Sequence, residues 1–239
     1  MALSAALPRC HVDPRHPARE GAEVVRDAGG GRVDVLDIEA FAVAPGEHLA
    51  LEGQSGSGKS TLLNVISGIT RPDAGRVVID GIDLARLDEA RRDRVRADKL
   101  GMVFQSFNLL PGFTALENVL VAMAFGSGRP DRSRAMELLG AVDLGHRLHH
   151  RPAELSTGQQ QRVAVARALA NRPRVVLADE PTASIDAAHQ QQVIDLLRTT
   201  CTDHGVALVV VTHAPEVSAQ FPRRLRLEDF NRAAAVHKR

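Results

Sequence analysis

Two apolar runs in this chain end in residues that carry chemistry. Val175-Val176-Leu177-Ala178 runs into Asp179-Glu180, and Ala207-Leu208-Val209-Val210-Val211 runs into Thr212-His213. Unbroken apolar runs of this length suit parallel strands covered on both faces. His48-Leu49-Ala50-Leu51 is a short alternating strand pattern, and Leu100 to Gln105 reads as a buried strand ending in Gln105. Thr61 to Ser67 has a helical pattern stopped by Gly68, with Pro72 beyond. Ala115 to Phe125 and Arg132 to Val142 read as two further helices. The stretch from Ser106 to about Thr157 is mostly helical and interrupts the strand-helix alternation. It predicts a helical subdomain over about residues 106–160, inserted in an α/β core.

Weaker signals fill the remainder. Val24 and Val25 start a strand, Gly29-Gly30-Gly31 reads as a turn, and Val33 to Val43 as a pairing partner. Pro45-Gly46 turns the chain, and Arg76 to Gly81 reads as a hairpin strand with an Asp-Gly turn. Arg86 to Lys99 mixes charges of both signs, as a solvated helix does. Arg224 to Glu228 adds a last strand. Residues 1–22, rich in Pro, Arg and His, are expected to form a loose arm ahead of a single domain over 23–239.

Composition narrows the class. The chain has 239 residues, 44% apolar and 25% charged, ordinary for a soluble globule. A net charge of +1 gives no electrostatic case for a nucleic-acid partner. The two cysteines, Cys10 and Cys201, form no motif, so a reducing compartment without a disulfide is expected. No apolar run approaches the ~20 residues of a membrane helix, and no signal peptide is apparent. Any membrane part must come from another chain. His146, His149 and His150 lie close in sequence, but no acid or Cys ligand stands beside them. Surface histidines are the better reading.

The candidate chemistry centres on Gly53-Gln54-Ser55-Gly56-Ser57-Gly58-Lys59-Ser60, which reads G-x-x-x-x-G-K-S between a strand and a helix. Glycines let consecutive backbone N–H groups curl into an anion nest. The helix that follows adds its N-terminal dipole. Lys59 is placed to reach the β- and γ-phosphates, and Ser60, followed by Thr61, to ligate Mg²⁺. Farther on, Leu155-Ser156-Thr157-Gly158-Gln159 is a helix start, with Ser156 and Gln159 spaced as a capping box.

This last stretch resembles the LSGGQ signature of ATP-binding cassette (ABC) ATPases. The family's other elements stand in order. Gln105 matches the Q-loop glutamine, Val175 to Asp179 the Walker B strand, and Glu180 the acid after it. Ser184-Ile185-Asp186 matches the D-loop and His213 the switch histidine. Alone, Asp179 and Glu180 could be solvated strand-end acids and Gln105 a loop amide; together the set is read as functional. The resemblance covers roughly residues 33–228. It is nearest to the branch of lipoprotein-release, macrolide-export and cell-division ATP-binding subunits.

The resemblance implies a P-loop NTPase fold: a RecA-like, mostly parallel sheet core, an antiparallel β subdomain and a helical signature subdomain. It implies ATP and Mg²⁺ as cofactors, with two copies paired head to tail around two ATPs. Gly53 to Thr61 of one copy would face Ser156, Gly158, Gln159 and Asp186 of the other. Asp179, with Ser60 and Gln105, would serve Mg²⁺. Glu180 would be the general base, and Gln105 and His213 would complete the catalytic set. The implied place is the cytoplasmic face of the inner membrane, bound to a permease through Gln105 to Val119. Phe104, Phe107 and Phe113 fall there with Leu109 and Leu110. Two other readings are weighed: an ATPase that pulls on a regulator of an envelope enzyme, and a DNA-repair or translation ATPase, which a single cassette, no coiled-coil insert and no basic surface disfavour. Two departures stand out. Thr157 replaces the first signature glycine, and Arg26 falls where an aromatic residue stacks on adenine, in a chain without Tyr or Trp.

Overall fold

The computed structural model describes residues 10–12, 24–26, 32–183, 185 and 187–233. Along the chain come β1 (Cys10–Val12), β2 (Val24–Arg26), β3 (Arg32–Asp34) and β4 (Phe41–Val43). Next, β5 (His48–Glu52) leads through the glycine-rich loop into α1 (Lys59–Ile66). β6 (Val78–Ile79), β7 (Ile82–Asp83), α2 (Glu89–Lys99) and β8 (Leu100–Val103) follow. Three α-helices then precede the next strand: α3 (Ala115–Phe125), α4 (Arg132–Ala141) and α5 (Thr157–Ala168). The remainder alternates: β9 (Val175–Asp179), α6 (Ala187–Asp203), β10 (Ala207–Thr212), α7 (Pro215–Ser218), β11 (Arg223–Arg226) and α8 (Leu227–Phe230).

Five strands form one sheet in the order β11-β5-β10-β9-β8, and every pairing in it is parallel. Its middle strands have no solvent face. Leu49, Leu51, Leu177, Val209 and Val211 point into one core with Leu62, Leu63 and Ile66 of α1 and with Phe41, Val43 and Ile79. Ala50, Val176, Ala178, Leu208 and Val210 point into the other, with residues of α3 to α6. Burying each Leu or Val this fully contributes about 1.5–3 kcal/mol. That explains why these runs are continuously apolar. His48 to Leu51 therefore departs from the expected alternation: Leu49, Ala50 and Leu51 are all fully buried, because a core covers each face of β5.

A second, antiparallel-paired sheet, β4-β1-β6-β7, packs beside α1. It draws in Cys10–Val12 from the stretch expected to be loose, with Cys10 opposite Val43. β2 and β3 pair antiparallel as a separate ribbon. The triple-glycine turn at 29–31 lies outside the described residues, as do Ser184 and Asp186. The segment Val33 to Val43 is not one strand. Asn231 takes the Asp37 N–H (2.8 Å) and donates to Val35 O (2.9 Å), occupying backbone groups that a strand ladder would use. The last strand also ends early, at Arg226, and Glu228 lies in α8.

The Asp-Gly turn forms as expected. Asp80 and Gly81 both have positive φ, at 51° and 80°, with Ile79 opposite Ile82. This is the I′ pattern that matches strand twist. The Asp80 carboxylate also pairs with Lys99 (2.8 Å) and Arg174 (3.1 Å), tying the hairpin to the sheet. The Lys99 hydrogen bond, then that of Arg174, outweighs burial and holds its pKa below the usual carboxylate value. A depressed carboxylate contributes stability above its unfolded pKa, and loses it as pH falls through the folded one. Asn tolerates positive φ, so Asp80→Asn should preserve the turn and remove only the charge. A loss of about 1 kcal/mol at pH 7, vanishing at acid pH in urea titrations, is expected.

Candidate functional site

Four parallel strands end at one edge of the sheet, and each delivers a residue singled out from sequence. In register, Thr212 lies opposite Glu52, Asp179 opposite Val211, and Val103 opposite Ala178. The loop 53–60 leaves β5, Asp179-Glu180 closes β9, His213 follows β10, and Gln105 follows β8. Ligands of open α/β sheets bind at this carboxyl edge.

The loop closes tightly onto α1. Gly58 caps the helix with φ 99°, and a Cβ there would stand 3.2 Å from Leu36 and 3.3 Å from Val35. Only glycine meets both demands. Leu62 N–H bonds back to Gly58 O at 2.8 Å, and Ser57 N–H to Gln54 O at 3.2 Å. Lys59 is buried, and its Nζ donates to the carbonyls of Gly53 and Gln54, both at 2.7 Å. The ammonium is thus held over the cradle by the loop itself, with a third donor to spare.

Beside it, Ser60 Oγ donates to Asp179 Oδ2 at 3.3 Å. Burial, then the charge of Glu180, raises the Asp179 pKa against the Ser60 bond and the Lys59 charge. Two hard oxygen donors side by side, one a hydroxyl and one a strand-end carboxylate, are of the kind that suits Mg²⁺. Among the described residues no group of three or more His, Cys, Asp or Glu could hold a metal. Glu180 has φ 45°, uncommon for a residue with a Cβ. Its N–H bonds to Val211 O at 2.9 Å, so β10 fixes this turn. His213 Nδ1 meets Glu180 Oε1 at 2.7 Å, and because a carboxylate only accepts, the ring N–H donates. The Glu180 side chain is 15% exposed and that of His213 is 66% exposed, so the pair reaches from sheet edge to solvent.

Gln105 is exposed, just beyond the end of β8. The loop after it is held by two residues that sequence reading did not single out. Arg167 of α5 donates to Phe107 O (2.6 Å) and to Asn108 O, and both of those residues have positive φ. Burial lowers the Arg167 pKa. Asn118 of α3, fully buried, accepts from Leu110 N (2.8 Å) and donates to the carbonyls of Leu110, Phe113 and Thr114. Phe107 is buried as a result, while Leu110 and Phe113 stay 40% and 41% exposed.

Ser156 starts α5 with the expected capping box: its Oγ accepts Gln159 N–H at 3.3 Å, and Gln159 Oε1 accepts Ser156 N–H at 3.0 Å. Ser156 and Thr157 are exposed, and nothing lies within 4 Å of where a Gly158 Cβ would be. A cavity of about 290 Å³ opens here, lined by Ser156, Gly158, Gln159, Asp143, His146 and Arg162 among others, with no residue of the loop 53–61. Asp186 lies outside the described residues. Cys201 is a buried free thiol whose pKa burial pushes up to about 12, too high for a nucleophile.

A glycine cradle opening a helix, with its Lys held in place and its Ser facing a strand-end acid, defines a P-loop nucleoside triphosphatase. The description "ABC transporter" matches residues 36–183, and the chain belongs to that family. It is an ATP-binding and ATP-hydrolysing subunit. It is 45% identical, over 89% of its length, to the lipoprotein-releasing system ATP-binding protein LolD 2 of Caulobacter vibrioides, of which 94% is covered. It is also similar to the ATP-binding cassette MJ0796 in two dimeric structures. One is a post-hydrolysis state bound to ADP and Pi (TM-score 0.74) and the other is described as a bacterial ABC transporter cassette (TM-score 0.77). In both, identity is 37%, with 90% of this chain and 93% of the other covered. Among the described residues no helix is long and apolar enough to cross a membrane.

Proposed function

We propose that this subunit works as a head-to-tail pair on the cytoplasmic face of the inner membrane. Its ATP hydrolysis would drive a separate integral-membrane permease that extracts or exports its substrate. The observation that carries the mechanism is the Glu180–His213 hydrogen bond beside the Ser60–Asp179 pair. The loop 53–61 binds the phosphates through Lys59 and through those of its amides that are not already bonded within the protein. Ser60, Asp179 and Gln105 would hold Mg²⁺, which would supply charge neutralisation to the phosphates. Glu180 takes the proton of the attacking water, its carboxylate aimed by His213. The exposed Ser156, with Gly158, Gln159 and Asp186, serves the ATP of the other copy. The dimeric MJ0796 structures support that pairing.

For the permease, the loop from Gln105 to Val119 is the contact. Leu110 and Phe113 are exposed on a backbone already fixed by Arg167 and Asn118, so docking orders little new chain. Resemblance to a lipoprotein-releasing protein supports extraction from the membrane as the work done. The test is affinity purification of the tagged chain from detergent-solubilised membranes. An integral-membrane permease should co-purify and stimulate Mg²⁺-dependent ATP hydrolysis. Leu110→Asp with Phe113→Asp should release it while leaving the ATPase of the isolated chain intact. Recovery of an envelope hydrolase complex or of nucleic acid in place of a permease would overturn the transport reading.

A further inference from the structure

The C-terminal segment touches the phosphate loop from a distance no motif covers. Glu228 Oε1 accepts the N–H of Gln54 at 2.8 Å, across 174 residues of chain. The packing there is close: a Cβ on Gly53 would lie 3.2 Å from that oxygen, 2.6 Å from Ser57 Oγ and 3.3 Å from Lys59 Cδ. On the other side, Asn231 holds the backbone of Val35 and Asp37 through both side-chain atoms, and Arg232 N–H adds a bond to Asp37 O at 2.8 Å. Val35 and Leu36 are the residues that stand against Gly58. Leu227 and Asn231 are buried, and Phe230 stacks on Phe41 with ring centroids 6.0 Å apart, so the segment is itself anchored.

We propose that residues 227–233 form a clasp that positions the phosphate loop for nucleotide, with Glu228 and Asn231 as its positioning residues. The inference rests on the ATP-binding reading of that loop. Glu228 fixes the entry of the loop at residue 54, and Asn231 fixes its exit at residue 58 through Val35 and Leu36. A loop with glycines at 53, 56 and 58 loses much freedom on wrapping a phosphate, and a clasp removes part of that loss beforehand. Placing a carboxylate near an anion site carries a repulsive cost. The short bond to Gln54 N–H is the compensating gain, since hydrogen bonds to a charged acceptor are about twice as strong as neutral ones.

The experiment is ATP binding by the full-length chain, measured by calorimetry with Mg²⁺ present, alongside steady-state kinetics. Failure of the parent chain to bind ATP would sink the ATP-binding reading itself, and the clasp with it. With the parent binding, Glu228→Ala should weaken affinity about tenfold, raising KM with kcat within about twofold, as expected for loss of uniform binding. Glu228→Gln keeps an acceptor oxygen and should fall between the two. On a Gln54→Pro background, where residue 54 has no N–H, Glu228→Ala should have no further effect. If Glu228→Ala does not fold, Glu228→Gln carries the test, and unchanged affinity in it overturns the clasp in the same way. Three results would overturn the clasp: affinity unchanged in Glu228→Ala, tighter binding in both the Ala and Gln variants, or the same loss in the Gln54→Pro background.

Discussion

Glu180→Gln is expected to lower ATP turnover by about 10² or more while leaving ATP binding intact, because only the proton acceptor is lost. The substitution is nearly isosteric. The amide oxygen can still accept from His213 Nδ1, now 2.7 Å from Glu180 Oε1, and the Glu180 N–H bond to Val211 O belongs to the backbone. Strain at φ 45° is the same for either side chain. Removing the Glu180 charge also removes one of the influences that raise the Asp179 pKa, although burial is the larger. Asp179 is therefore ionised at least as readily, and the Mg²⁺ and phosphate contacts proposed for this edge would not be weakened. With hydrolysis blocked and binding preserved, a dimer holding ATP should accumulate, visible by light scattering as a doubling of mass. Turnover within about threefold of the parent, well short of what general-base loss removes, would take Glu180 out of the base role.

Legibility in the sequence follows the range of the interaction. Residues 53–60 and the capping box at 156–159 are short runs in which neighbours in sequence are neighbours in space, so spacing exposes them; the roles expected of Ser156, Asp179 and Glu180 come from the family resemblance. Thr114 with Glu117 and Ser156 with Gln159 make capping boxes for the same reason. The Asp80–Gly81 turn and the helices α1 and α3 are equally local. What supports these runs is not local. Arg167 reaches Phe107 across 60 residues, Glu228 reaches Gln54 across 174, and Asn231 reaches Asp37 across 194. In each case a side chain meets a backbone group, and every residue except proline carries the same N–H and C=O. Such contacts have no partner residue type to search for. They also redraw the elements: Asn231 breaks Val33 to Val43 into two strands, and Glu228 lies in a helix and not at the end of a strand.

The apolar loop after Gln105 shows a second limit. Phe107, Leu109, Leu110 and Phe113 are alike in sequence, yet Phe107 is buried and Phe113 is 41% exposed. Positive φ at Phe107 and Asn108 turns the first inward and leaves Leu110 and Phe113 outside. Composition says only that the loop is apolar. The division between core and contact surface depends on backbone angles that Arg167 and Asn118 stabilise.

Ser156→Arg is expected to abolish hydrolysis by the assembled complex without lowering the ATP affinity of the isolated chain. Ser156 is exposed at the start of α5, and the cavity beside it contains no residue of its own phosphate loop. The cavity at Ser156 is thus not formed with its own phosphate loop. Across a head-to-tail pair, the α5 N-terminus would present its free N–H groups to the γ-phosphate of the other copy. A long Arg side chain there would fill the approach. The same change also removes the hydrogen bond from Gln159 N–H to Ser156 Oγ, worth about 1 kcal/mol to the helix. A chain of this size should then melt about 2–4 °C lower. Ser156→Ala supplies the control: it loses the cap to a similar extent but leaves the approach open. Its melting point should match that of the Arg variant while its turnover stays above it. If both variants lose activity in step with stability, Ser156 acts only as a helix cap; if the isolated Ser156→Arg chain binds ATP as poorly as the complex turns it over, it acts within its own copy; either result removes the cross-subunit assignment.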